Sequence, residues 1–252
     1  MAKMMNEPSE TPGGIVPEGE AHVWRIALSD ARGTDAHVLS WLSAEERARL
    51  ERHRSASAGE RFALTRLALR HILARYTGAA PDAVGLVVDT RGKPDLCGAG
   101  GIRFSVSHAA ELALVAVARA DVGIDVEGVR QPRRLLRTAR RVLHADTVAT
   151  LERLPPERRP LAFLDAWTQR ESHVKAVGGG IFATPDALPF HVGQPADGTP
   201  YRYRDRRDVE EWSVARFHPT ADARASLVAR GPLTEVRFFE WSIAAVLARE
   251  EP

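Results

Sequence analysis

The alternation in Val122-Gly123-Ile124-Asp125-Val126-Glu127 leaves that stretch one regular solution, a strand with two unlike faces. Residues two apart share a face of a strand. Val122, Ile124 and Val126 therefore point into a core, while Gly123, Asp125 and Glu127 point the other way. Two carboxylates so placed repel each other unless a cation sits between them. Gly123 removes a side chain from the same face and leaves room for a ligand. Hard oxygen donors of this kind suit magnesium. Taken alone, two acids on a strand face are ordinary surface residues.

A helix is the second fixed point. In Trp167-Thr168-Gln169-Arg170-Glu171-Ser172-His173-Val174-Lys175-Ala176, the residues Trp167 and Val174, with Leu164 before them, mark a buried stripe. Glu171 borders that stripe, and Lys175 follows one turn on along the same side. A carboxylate at the edge of an apolar face is a candidate metal ligand or general base, because burial and a cation both set its pKa. As a surface pair, Glu171 and Lys175 would contribute only roughly 0.2–0.5 kcal/mol.

Around these points the chain reads as an α+β protein. A strand over 21–28 precedes a largely helical segment over 45–76, opened by a capping box on Ser43 and Glu46 and stopped by Gly78. Short strands follow at 84–88 and 104–108, with a Gly-Pro turn at 90–94 between them. The apolar run 111–118 and the strand 122–127 read as a hairpin across Ala120-Asp121. Helical regions cover 133–154, ended by Pro155-Pro156, and 159–177, ended by Gly178. Strand candidates follow at 190–192, 211–217 and 226–230, and 236–248 fits either a strand or a helix. The order strand, long helix, several strands thus occurs twice. It predicts two pseudo-symmetric halves, each a long helix on a small, mostly antiparallel sheet, over 21–128 and 129–252. Residues 1–20 are Pro-, Gly- and Glu-rich toward their end and are expected to be a disordered tail.

Composition excludes several classes. A formal net charge of +2 on 252 residues is no nucleic-acid footprint. No apolar run approaches the ~20 residues needed to span a bilayer, and the N-terminal residues carry no secretory signal pattern. The single cysteine, Cys97, rules out an internal disulfide framework and fits a reducing cytosol.

Groups suited to an anion accompany the acids. His108 closes the strand Phe104-Ser105-Val106-Ser107-His108, where hydroxyls and an imidazole can meet a phosphate. Lys93 sits in a rigid Gly-Lys-Pro turn. Arg49, Arg61 and Arg66 lie in the first helical segment and offer bidentate donors. Arg130, Arg133, Arg134, Arg137 and Arg141 share one side of a helix, either a solvated face or a site for an acidic partner.

The ordered set Gly92-Lys93-Pro94, Phe104–His108, Gly123–Glu127 and Trp167–Gly178 resembles the 4′-phosphopantetheinyl transferases that activate peptide and polyketide synthetases. Arg170 stands where that family often has lysine, and Val126 where it often has isoleucine; neither is expected to touch the chemistry. The resemblance implies a cytoplasmic monomer of secondary metabolism that binds coenzyme A between its halves. By motif position it assigns Asp125, Glu127 and Glu171 to Mg2+. It assigns Ser107, His108 and Lys175 to the phosphates of coenzyme A, and Lys93 with Arg49, Arg61 and Arg66 to its adenine and 3′-phosphate end. Glu171 and Lys175 become the catalytic pair, and an apo acyl or peptidyl carrier protein the acceptor, with no nucleic acid or membrane involved. Two other readings stay open: a different magnesium enzyme hydrolysing a nucleotide pyrophosphate, and a non-catalytic adaptor using the arginine-rich helix.

Overall fold

A computed structural model of the chain describes residues 14–31, 36–88, 93–98, 100–129, 134–178, 196–204 and 211–250. The first half runs β1 (Glu20–Ala27), α1 (Ala36–Leu39), α2 (Ala44–Glu51), α3 (Ala56–Thr77), β2 (Leu86–Val88), β3 (Pro94–Leu96), β4 (Arg103–Ala109) and β5 (Leu112–Ala118). Then come β6 (Val122–Gly128), α4 (Leu135–Val142), α5 (Ala145–Arg153), α6 (Arg159–Val177), β7 (Tyr201–Arg204), β8 (Glu211–Phe217) and β9 (Ala223–Arg230). The chain closes with β10 (Glu235–Trp241) and α7 (Ile243–Glu250).

Two four-stranded sheets carry the fold, in the orders β10-β1-β5-β4 and β6-β9-β8-β7, beside a small β2-β3 hairpin. The expected repetition is visible in the connections. In one half a strand (β1) leads through a long helix (α3) to the hairpin β4-β5, whose second strand pairs with β1. In the other, β6 leads through α6 to the hairpin β8-β9, whose second strand pairs with β6. The sheets do not respect a single cut in the sequence: β6 belongs to the second sheet, and β10 returns to lie parallel with β1 in the first.

Packing follows the strand alternation. Ala21 and Val23 of β1, Leu114 and Ala116 of β5, Val122, Ile124 and Val126 of β6, and Ala225 and Leu227 of β9 form one core between the sheets. The opposite face of the first sheet, with Trp24, Ile26, Val115 and Val117, packs on Leu64, Leu67, Ala68 and Ile72 of α3. The order is therefore helix, sheet, sheet, helix.

Several expectations change. β5 and β6 are not a hairpin: all seven residues of β5 are buried, and its two edges are taken by β1 and β4. The segment 45–76 breaks at 52–55, so that α2 folds back on α3 and Glu46 of the capping box meets Arg66 and Arg70. The segment 133–154 breaks at Leu143-His144, where the His144 ring accepts the Asp146 N–H at 3.1 Å and opens α5. Residues 236–248 are both things in turn, β10 and then α7. The tail is shorter than expected: Val16 is fully buried against the first core and Glu20 opens β1. Apolar docking outweighs the loop-like composition there. Residues 1–13 and the strand candidate 190–192 lie outside the described residues.

Candidate active site at the edge of β6

β6 is the outermost strand of its sheet, and β4 is the outermost strand of the other. An edge strand offers unpaired N–H and C=O groups. On β6 side chains meet them. Ser105 Oγ accepts the Ile124 N–H at 3.1 Å, and Ser107 Oγ accepts the Val126 N–H at 3.3 Å. Lys93 Nζ donates to Val122 O at 3.3 Å, and Lys175 Nζ to Ile124 O at 3.0 Å. Four side chains from the turn, from β4 and from α6 thus line one strand edge, which is why these motifs occur together.

α6 lies across the face of β6 that carries Gly123, Asp125 and Glu127. Gly123 does not leave room for a ligand, as the sequence suggested. A Cβ there would stand 1.9 Å from Ser172 O and 2.6 Å from the Ala176 nitrogen, so the glycine admits the helix backbone. The helix seats through a polar seam as well, with Thr168 Oγ1 2.9 Å from Ser226 Oγ and Ser172 Oγ donating to Ser226 O at 2.7 Å. Its apolar residues Ala162, Phe163 and Leu164 pack on α4 and α5 instead. Buried on both sides, α6 has no clean apolar stripe to read from sequence.

The close approach of α6 buries Asp125 to 6 % exposure. Its Oδ1 accepts Lys175 Nζ at 2.8 Å and the Ser107 hydroxyl at 2.9 Å. Its Oδ2 is buried with no hydrogen-bond partner among the described residues. Burial raises the Asp125 pKa above the usual carboxylate range, against the pull of Lys175 and Ser107. Glu171 is half-buried and also raised, first by desolvation and then by the charge of Asp125, with Arg170 and Lys175 opposing. Its partner is Arg170, not Lys175. Glu127 accepts the Trp167 indole N–H at 3.1 Å, and the Arg170 guanidinium lies 5.7 Å over the Trp167 ring. Trp167 and Arg170, read from sequence as a core residue and an inconsequential change, therefore hold two of the three acids. Arg170 beside Glu171 was the available signal.

The structure thus brings Ser107 of β4 and Lys175 of α6 onto Asp125 of β6, sets Glu171 close enough to Asp125 to feel its charge, turns Glu127 to Trp167, and places Lys93 at the start of the same strand. His108 is exposed on β4, and strand alternation turns it away from Ser107. The first-half arginines are elsewhere. Arg66 binds Glu46 at 2.6 Å, Arg61 binds Glu111 at 2.8 Å, and Arg49 lies 5.0 Å over the Phe62 ring. Arg134, Arg137 and Arg141 are exposed at α4, while Arg130 and Arg133 lie outside the described residues.

Three carboxylates on facing elements are the chemistry a hard divalent cation takes, and the partnerless Asp125 Oδ2 is an oxygen suited to it. Among the described residues, no group of three or more His, Cys, Asp and Glu side chains is close enough together to hold a metal ion. Each acid is turned to its own partner: Lys175, Trp167 or Arg170. Among the described residues no helix is long and apolar enough to cross a membrane.

Comparison with known proteins places the chain in a family. Residues 121–229, which contain β6 and α6, match the model of the 4′-phosphopantetheinyl transferase superfamily. The 4′-phosphopantetheinyl transferase HetI of Nostoc is 35 % identical over 88 % of this chain and 92 % of its own length. The 4′-phosphopantetheinyl transferase psf-1 of Bacillus pumilus is 29 % identical over 60 % of this chain and 64 % of its own. A 4′-phosphopantetheinyl transferase of Bacillus subtilis is 24 % identical over 66 % and 72 %. With its α+β fold, its match to the superfamily model and 35 % identity to HetI over 88 % of its length, the chain belongs to the 4′-phosphopantetheinyl transferases.

Proposed function

We propose that this transferase moves the 4′-phosphopantetheine group of coenzyme A to a serine hydroxyl of an apo acyl or peptidyl carrier protein and releases 3′,5′-ADP. The observation that carries the reading is the buried Asp125, held by Lys175 and Ser107 through one oxygen and free at the other, beside the electrostatically coupled Glu171. Asp125, Glu127 and Glu171 would hold magnesium once Glu127 and Glu171 turn from Trp167 and Arg170. A magnesium ion there supplies neutralising charge for the pyrophosphate oxygens.

The rest falls to the chain's own groups. Glu171, half-buried beside Asp125 and Lys175, takes the proton of the incoming serine directly or through a water. The serine oxygen bonds to the phosphorus of phosphopantetheine as the bond from that phosphorus to the 3′,5′-ADP oxygen breaks. Lys175, already at the site, stabilises or protonates the departing phosphate. His108 contacts the phosphates from the exposed end of β4. Lys93 and the arginines of the first half, Arg49, Arg61 and Arg66, serve the adenine and 3′-phosphate end once Arg61 and Arg66 leave Glu111 and Glu46. Arg134, Arg137 and Arg141 give α4 a basic face for an acidic carrier. The chain works as a cytoplasmic monomer, a reading supported by the single cysteine and the two halves within one chain, and serves secondary metabolism, a reading that rests on the motif resemblance alone.

Incubation of the protein with coenzyme A, Mg2+ and a panel of apo carrier proteins tests this. A carrier heavier by one phosphopantetheine is the expected product. Coenzyme A consumed at the same rate without any carrier would point to a hydrolase, and a chain indifferent to Mg2+ and to Asp125→Ala would point to an adaptor.

A further inference from the structure

Two serines of β4 do the same structural work and differ in one respect. Ser105 and Ser107 are equally buried, each 6 % exposed, and each accepts one main-chain N–H from the edge of β6. Only Ser107 touches a carboxylate. A serine hydroxyl has one hydrogen to donate and lone pairs to accept. The Ser107 hydrogen goes to Asp125 Oδ1 at 2.9 Å, and its oxygen takes the Val126 N–H at 3.3 Å. Lys175 Nζ takes the same Oδ1 at 2.8 Å. Oδ1 therefore accepts two hydrogen bonds from groups on facing elements, and Oδ2 stays buried with no partner among the described residues.

We propose that Ser107 is a positioning residue: it locks Asp125 by Oδ1 so that Oδ2 is presented to the divalent cation, and it does not contact coenzyme A. The hydroxyl is buried, and its hydrogen is committed to Asp125, so it offers the coenzyme no donor. Hydrogen bonds to a ligating carboxylate tune metal affinity through such outer contacts. Ser105 bonds the main chain alone and provides an internal control for the purely structural part of the role. The inference rests on the proposed metal reading.

The test compares Ser107→Ala, Ser107→Thr and Ser105→Ala in the full chain. Calorimetric titration with Mg2+, alone and at saturating coenzyme A, reads cation binding, and the KM for coenzyme A at saturating Mg2+ reads coenzyme contact. Ser107→Ala is expected to raise the half-saturating Mg2+ concentration roughly 10- to 100-fold, with the KM within about twofold of the parent. Ser107→Thr restores binding by keeping the hydroxyl. Ser105→Ala lowers the melting temperature as Ser107→Ala does but leaves Mg2+ binding unchanged. Should Ser107→Ala not fold, Ser107→Cys, similar in shape and a weak donor, is expected to show the same loss. Equal Mg2+ binding in Ser107→Ala and Ser105→Ala overturns the proposal, as does a raised coenzyme A KM in Ser107→Ala at saturating Mg2+. Either result leaves the metal reading standing, whereas a parent protein with no saturable response to Mg2+ removes that reading and this role with it.

Discussion

β1 and β6 hold the same place in the two halves, each ahead of a long helix and beside the second strand of the following hairpin. Their outer edges are finished differently. β10 lies along β1 in a continuous parallel ladder from Glu20↔Glu235 to Ile26↔Trp241. β6 has Ser105, Ser107, Lys93 and Lys175 where that ladder would be. Their helix-facing residues differ in the same sense. In β1 they are His22, Trp24 and Ile26, closed over α3 by the Tyr76 hydroxyl, which accepts the Trp24 indole N–H at 2.9 Å and is hydrogen-bonded with His22 Nδ1 at 2.8 Å. In β6 they are Gly123, Asp125 and Glu127. A strand neighbour satisfies an edge uniformly and brings no chemistry. Side chains satisfying the same edge deliver ammonium and hydroxyl groups to a buried acid. Among the described residues, the half without an added edge strand is the one that carries the candidate site.

Four experiments would break or sharpen this contrast. Asp125→Ala should reduce phosphopantetheine transfer on the order of 10³-fold, the scale of one lost electrostatic stabiliser, read as mass gain of the carrier with the fold checked by circular dichroism. Transfer at parental rates would show that the side-chain-dressed edge is only structural. Gly123→Ala should destabilise by about 3 kcal/mol in urea, because the new methyl group meets the main chain of α6. Gly128→Ala on the same strand meets nothing within 4 Å and should stay within about 0.5 kcal/mol.

The third experiment probes β1. Burial first, and then Arg237, lowers the His22 pKa from 6.5 to about 4. Between those values the unfolded chain binds a proton that the folded chain refuses, so stability falls as the pH drops from 6.5 toward 4. The loss should reach roughly 3 kcal/mol, and His22→Gln should flatten that part of the profile; an unchanged slope in the variant would assign it to other groups. The smallest effect is expected from Trp167→Phe, which removes the hydrogen bond to Glu127 and should cost about 1 kcal/mol of stability in urea. No change would mean that Glu127 needs no holder.

The local pattern of β6 was legible. Alternation placed Val122, Ile124 and Val126 in the core and the acids opposite, and the structure agrees. The capping box on Ser43 and the Gly78 and Gly178 stops were equally plain, because each is set by residues within one turn. The repeated order of elements gave the paired halves. What failed was partnership. Sequence proximity suggested that β5 and β6 pair, whereas β5 had both edges filled. It suggested that Glu171 pairs with Lys175, whereas burial drew Lys175 to Asp125 and left Arg170 for Glu171.

Sequence by itself therefore determined the faces of β6, the ends of the long helices and the family to which the motifs pointed, since side-chain periodicity and capping are local properties. Only the tertiary structure decided that Gly123 admits a helix, that four side chains line the edge of β6, and that Asp125 is held by one oxygen while the other has no partner among the described residues. Those facts depend on which distant surfaces are buried against each other, and burial, by removing water from a carboxylate and a strand edge, determines what each must then find as a partner.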